Sequence, residues 1–110
     1  MTAEYIVDFV KRTGFNFEHM LNDPYWFIND ELSKDDKEVF DSFGKFQVFD
    51  EEVESDDKRL SKSIVVHFKS LGFYIKESRY YVWQNFVEVK YSQVEPVGSK
   101  IVFGQEREII

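Results

Sequence analysis

Apolar residues in the first half of the chain recur at helical spacing. Tyr5, Ile6, Phe9 and Val10 fall three and four apart, Thr2 precedes them as a capping residue, and Gly14 follows Lys11 and Arg12. This pattern predicts a helix that starts at Thr2 and stops at Gly14. Asn16 and Phe17 to Leu21 predict a short helical turn, and Asp23-Pro24 reads as a cap with proline at the first helical position. Tyr25, Trp26, Phe27, Ile28 and Leu32 then form a short aromatic helix. Ser33 followed by Asp36 resembles a capping box, and Val39, Phe40 and Phe43 supply an apolar stripe that ends at Gly44.

After Gly44 the period changes. Phe46 and Val48 alternate with polar neighbours, which predicts a strand over Lys45 to Phe49 running into the acidic stretch Asp50 to Asp57. Segment 56–72 fits two templates. Leu60, Ile64, Val65, Phe68 and Leu71 keep a helical period up to Gly72, with Ser55 as cap, whereas the β-branched run Ile64-Val65-Val66 favours a strand. The period holds over three turns, so a helix is the expectation. Phe73 to Ile75 predict a short strand, Lys76-Glu77-Ser78 a turn, and Tyr80 to Tyr91 an alternating strand with a turn or bulge at Gln84-Asn85. Pro96, Gly98 and Ser99 mark a loop, and Lys100 to Phe103 predict a last strand before a mixed tail. Helices followed by antiparallel strands imply an α+β fold. A helical N-terminal half is expected to pack on an antiparallel sheet formed mainly by the C-terminal half, as a single domain over residues 1–110.

Composition supports one ordinary core. At 110 residues, 43% apolar and 18% aromatic, the chain is long enough to fold without staples and unlike a disordered segment. No window approaches the roughly 18 consecutive apolar residues of a membrane span, and Met1-Thr2-Ala3-Glu4 lacks the charged and apolar regions of a secretory leader. The chain has no cysteine, which excludes disulfides, Cys-based zinc sites and thiol nucleophiles. A cytoplasmic location is expected.

Charge narrows the function. The net charge is −7, and residues 1–55 carry 14 acids against five bases, whereas 56–110 carry seven acids and nine bases. Such asymmetry bears on partners and encounter rates. No catalytic signature accompanies it. His19 and His67, with Lys69, suggest an acid–base pair for phosphodiester cleavage, but their spacing gives no support and a negative surface repels that substrate. Glu18, His19 and Asp23 have mixed ligand types without a metal motif, and the single glycines do not form a phosphate cradle. Lys58, Arg59, Lys62, Lys69, Lys76 and Arg79 interleave with Phe68, Phe73, Tyr74, Tyr80, Tyr81 and Trp83, yet Asp56, Asp57 and Glu77 compete for those cations. The expectation is a non-enzyme with no cofactor, no metal, no direct nucleic acid and no membrane partner.

Twenty aromatic residues are more than one small core encloses easily, so several are expected at the surface near the acids. Exposed rings rimmed by one sign of charge supply anchors for affinity and a field for steering. Tyr25 and Trp26, followed by Asp30, Glu31, Asp35, Asp36 and Glu38, form the best local candidate for partner binding. Asp50, Glu51, Glu52 and Glu54 add a second acidic run. The competing reading makes 23–41 an amphipathic helical pair with a solvated acidic back, and 50–57 a solvated loop.

In general character the acidic helical front from Thr2 to Gly44, the run Asp50 to Asp57 and the aromatic strands Phe73 to Tyr91 resemble small immunity proteins that neutralise bacterial polymorphic and contact-dependent inhibition toxins. That resemblance implies a cytoplasmic inhibitor that binds a basic, nuclease-type toxin domain and blocks its active site or substrate groove. A second resemblance, to the cone-shaped α+β superfamily of nuclear transport factor two, implies a small-molecule binder or enzyme. There the aromatics of 73–91 would line a pocket and His67 would act as base. A nucleic-acid mimic that titrates a DNA- or RNA-binding protein is a further alternative.

Overall fold

Thr2 Oγ1 accepts the Tyr5 N–H at 3.2 Å and opens α1 (Ala3–Thr13). Gly14 closes it at φ 77°, a left-handed conformation that glycine adopts without a Cβ penalty, and donates its N–H to the Val10 carbonyl. The computed structural model describes residues 1–21, 24–56, 58–96 and 103–109. Asn16 caps α2 (Phe17–Leu21) by a reciprocal pair: its Oδ1 accepts the His19 N–H at 3.2 Å, and its own N–H donates to His19 Nδ1 at 3.1 Å. Histidine here does the work of the glutamate in a capping box. Pro24 is the first residue of α3 (Pro24–Glu31), as proline's fixed φ favours, and its expected cap, Asp23, lies outside the described residues. Ser33 Oγ accepts the Asp36 N–H at 3.2 Å and starts α4 (Lys34–Ser42).

Five antiparallel strands follow in a meander, each beside its sequence neighbour: β1 (Phe46–Ser55), β2 (Arg59–Phe68), β3 (Phe73–Val82), β4 (Asn85–Pro96) and β5 (Phe103–Ile109). The fold is thus α+β, with the helices in the N-terminal half and the sheet mainly in the C-terminal half. Among the described residues no helix is long and apolar enough to cross a membrane.

Several local expectations are corrected. Segment 56–72 is a strand and its flanking turns, not a helix. Leu60, Ile64 and Phe68 are four apart, a spacing that also falls on one face of a strand. Val65, needed for the helical stripe, instead points with Ser63 and His67 to the opposite face. Central pairing with both β1 and β3 then suits the β-branched run. Lys76-Glu77-Ser78 is not a turn but the middle of β3, with Glu77 facing the helices and its neighbours facing away. The long Tyr80–Tyr91 strand is broken by a two-residue turn at Trp83-Gln84, one position earlier than expected. The acidic stretch from Asp50 to Ser55 continues β1 across a bulge between Phe49 and Glu52, so it is not a loop. Of the expected last strand, Lys100 to Val102 lie outside the described residues, and Phe103 begins a strand that occupies the anticipated tail.

The helices cover one face of the sheet, and the core between them is largely phenylalanine. Phe9 meets Phe43 edge-on at 5.2 Å, Phe15 meets Phe40 at 5.2 Å, and Phe43 meets Phe68 on β2 at 6.0 Å. Such edge-to-face pairs contribute roughly 1 kcal/mol each beyond the area they bury. Ile64, Val66, Ile75, Tyr91 and Ile109 complete the layer from the sheet.

One charge lies inside it. Glu77 is 1% exposed, and its Oε2 accepts the Phe17 N–H at 3.1 Å and the Tyr91 hydroxyl at 2.9 Å, while Oε1 accepts from Arg79 Nε at 2.9 Å. Burial, and then the adjacent Glu77 charge, hold the Tyr91 phenol protonated far above its ordinary value. Arg79 extends the set to Glu18 on α2, at 3.7 Å. Replacing Glu77 by Ala strands a helix N–H and a phenol in the core and takes the nearer of two carboxylates from Arg79, and denaturant unfolding is expected to show a loss of about 3–5 kcal/mol. Tyr91→Phe, which removes one donor, is expected to cost about 1–3 kcal/mol.

His19 gives the fold a pH dependence. Burial first, and then Arg79, lower its pKa from the ordinary 6.5. The neutral ring accepts the Asn16 N–H and stacks on Phe27 at 4.3 Å. Because the folded value is depressed, the unfolded chain takes up the proton first as pH falls. This contribution to stability is therefore fully present above 6.5 and is lost as pH drops through the folded value. Unfolding free energies measured from pH 7.5 down to about 5 should fall, and His19→Gln should flatten that slope.

Candidate protein-binding surface

Packing of α3 decides which of its rings reach solvent. Ile28 and the following Leu32 are buried, and Phe27 lies half-buried between His19 and Phe15. Tyr25, Trp26, Asn29 and Asp30 are left on the outer side, with Trp26 and Asp30 one helical turn apart. Tyr25 and Trp26 are each 60% exposed, far beyond the edge of the core. Glu31 closes the helix and is exposed, as are Asp35 and Glu38 on α4. Asp30, Glu31, Asp35 and Glu38 have no ion-pair partner among the described residues.

Asp36 has a different role. Its Oδ1 accepts from Arg12 of α1 at 3.0 Å, and that bond, with the Ser33 hydroxyl, lowers its pKa. It ties α4 to α1 while complementing the helix N-terminus. The sequence places it among the binding acids, and the structure gives it to the scaffold.

The second acidic run is set apart. Val48 packs against the core, but Val53, on the same face of β1 beyond the bulge, is exposed, so the strand has left the helical layer by then. Asp50, Glu51 and Glu52 lie on this strand, with side chains outside the described residues. Glu54 is exposed at its far end and borders a cavity of about 200 Å³ with Ser61, Ser63, Lys76, Ser78 and Tyr80. From Phe46 to Glu54 the strand advances roughly 25 Å, too far for one small patch. Glu54 is thus set apart from the Phe46 end of β1, where Phe40 of α4 packs.

The second surface is the free end of the sheet, and it brings together Lys58, Lys62, Tyr81 and Trp83 of the interleaved basic and aromatic set weighed for nucleic acid. Two hairpin tips meet there. Asp56 Oδ1 accepts the Lys58 and Arg59 N–H groups at 3.1 and 2.9 Å and shapes the β1–β2 turn, and Trp83 donates its N–H to the Lys58 carbonyl at 2.9 Å. Trp83 and Gln84 have φ of 54° and 66°, a left-handed pair that usually calls for Asn-Gly. Trp83 is 65% exposed and Phe86 56% exposed, with Val53, Val82 and Val87 also uncovered. Lys58 Nζ stands 5.2 Å over the Trp83 ring and Lys62 Nζ 5.8 Å over Tyr81. A signal was present in the sequence: Val82-Trp83-Gln84-Asn85 joins two strand-forming runs without a glycine.

His19 and His67, the pair weighed for acid–base chemistry, are not brought together. His19 lies in the helical layer and His67 on the opposite face of the sheet, stacked on Tyr74 at 4.0 Å. The aromatics of 73–91 divide between the two faces: Phe73 and Tyr91 join the core and Tyr74 and Tyr80 face away. Among the described residues no group of three or more His, Asp or Glu side chains is placed to hold a metal ion. No protein-family model matches the chain. Neither a curated protein nor a solved structure matches it.

Strain at the hairpin tip has a measurable consequence. Gln84→Gly removes a side chain from a left-handed position while leaving Trp83 in place, and it is expected to stabilise the fold by about 1 kcal/mol in denaturant unfolding.

Proposed function

We propose that this protein is a non-enzymatic, cytoplasmic, acidic inhibitor that binds a basic protein, in the manner of the immunity proteins it resembles. Its target in this reading is a nuclease-type toxin domain whose active site or substrate groove it occupies. The observation that carries the proposal is the exposure of Tyr25 and Trp26 on the same side of α3 as Asp30, together with exposed Glu31, Asp35 and Glu38, none of these four acids having an ion pair among the described residues. A nuclease groove is cationic because it holds phosphate, and carboxylates drawn to it raise the association rate through long-range attraction. The two rings, once buried, slow dissociation. This inhibition needs no bond to be made or broken, so the separation of His19 from His67 costs it nothing.

Capture from lysate of the source cell at low and high salt, followed by a nuclease assay on the retained protein, tests the proposal. The expected result is a basic protein held at low salt and inhibited at one-to-one stoichiometry. Replacing Asp30, Glu31, Asp35 and Glu38 by Lys should slow association about tenfold or more, and Trp26→Ala should weaken affinity about 30-fold with the fold intact. A retained transcription factor would favour the nucleic-acid mimic. No retained protein, or one whose activity is unchanged, would refute the inhibitor.

A further inference from the structure

The joint between α2 and α3 turns on the protonation state of one histidine. His19 Nδ1 accepts the Asn16 N–H at 3.1 Å, so in this arrangement that nitrogen carries no proton. A protonated imidazole has a donor at both nitrogens and would set one N–H against another there. Protonation and the Asn16–His19 cap therefore exclude one another. The same ring stacks on Phe27 at 4.3 Å and lies tilted beside Phe15 at 5.4 Å. Phe27 in turn neighbours Phe15 at 5.7 Å and Trp26 at 6.4 Å. A ring that turns to free Nδ1 from the Asn16 N–H gives up its place in this stack.

The charges around the ring are few. Arg79 of β3 opposes a positive ring, and Glu18 of α2, which favours one, stands 3.7 Å from that same guanidinium. Glu77, the other carboxylate on Arg79, is buried and accepts from its Nε at 2.9 Å. Phe15 and Phe27, the rings packed on His19, bring no charge. His19 itself is half-buried, so a proton reaches it from solvent without unfolding of the chain.

The remaining anchors limit how far the change spreads. The Phe17 N–H is held by Glu77, and Ile28 of α3 is buried in the core, and neither contact runs through His19. The helices thus stay on the sheet, and what moves is the seat of Phe27 and, next to it, Trp26.

We propose that His19 is a pH-gated positioning residue: its neutral ring holds the outer side of α3, with Trp26, in one geometry, and protonation releases it with the fold intact. Under the inhibitor reading, on which this last step rests, a bound target is let go in acid.

Nitrogen-correlated NMR from about pH 8 to 5 tests the gate in the free protein, in a window above the ordinary carboxylate range. The two indole N–H signals report separately, because Trp26 neighbours Phe27 and Trp83 lies in the β3–β4 turn. The expected result is a shift of the Trp26 signal whose midpoint matches that of the His19 ring and falls below 6.5, with Trp83, Val66 and Ile75 unmoved. His19→Gln offers the Asn16 N–H an uncharged acceptor, as in a capping box, so it should stay folded and lose the Trp26 titration. His67→Gln, on the opposite face of the sheet, should leave that titration unchanged. A Trp26 signal indifferent to the His19 titration overturns the proposal, as does one that titrates equally in His19→Gln or moves together with Trp83. A His19 midpoint at or above 6.5 overturns it too.

The target enters only in a second measurement. At about pH 5 the captured protein should leave the native chain about tenfold faster than it leaves His19→Gln, and at pH 7.5 the two rates should agree. Equal rates at both values overturn the gate's part in binding. Capture of no protein at all refutes the inhibitor, while the Trp26 titration still decides the gate.

Discussion

A buried carboxylate sets the geometry of this molecule. Taking Glu77 out of water costs several kcal/mol unless its oxygens are satisfied, and its three donors come from three places: the start of α2, β4 and its own strand. A five-residue helix has no stability of its own. The Phe17 N–H on Glu77, the Phe17 ring between Phe68 and Tyr91, and the Glu18 contact with Arg79 hold α2 to the sheet in one register. His19 then carries α3 through its stack on Phe27, so the outward angle of Tyr25 and Trp26 descends from a contact on the far side of the helical layer.

The same arrangement leaves part of the sheet bare. Strands of ten residues and more run roughly 30 Å or further, and the helical layer covers them from the end where Phe46, Phe68 and Phe73 gather as far as Ile64, Glu77 and Tyr91. Beyond the Glu77 row and the Arg79 contact with Glu18, Val53 and Phe86 are exposed and Tyr81 is partly so. The protein therefore offers two aromatic surfaces with different fields: an acidic one on α3 and α4, and a balanced one at the hairpin tips.

The helical half was legible because its signals are local. Thr2, Gly14, Pro24 and Ser33 act within one turn of themselves, and each stands where it was expected to start or stop a helix. The sheet was legible only where local and long-range preferences agree. Leu60, Ile64 and Phe68 satisfy two periods at once, and what makes them a strand is pairing with β1 and β3, which a window of sequence does not contain. Glu77 was hidden for the same reason. A glutamate between lysine and serine reads as a turn until Phe17, 60 residues earlier, and Tyr91, 14 later, are brought to it. Of the candidate site, Tyr25, Trp26, Asp30, Glu31, Asp35 and Glu38 are exposed, whereas Asp36 pairs with Arg12 and Glu54 lies at the far end of β1.

Everything on the helical side rests on a helix held by a charge that water does not reach. Amide hydrogen exchange at Phe17 reads that contact directly, because this N–H is the first of its helix and has no carbonyl partner within it. The account predicts protection comparable to that of Val66 and Ile75 in the central strands, lost only in global unfolding. Exchange at the rate of an open helix end would show that Glu77 does not hold α2, and the placement of the α3 surface would lose its physical basis.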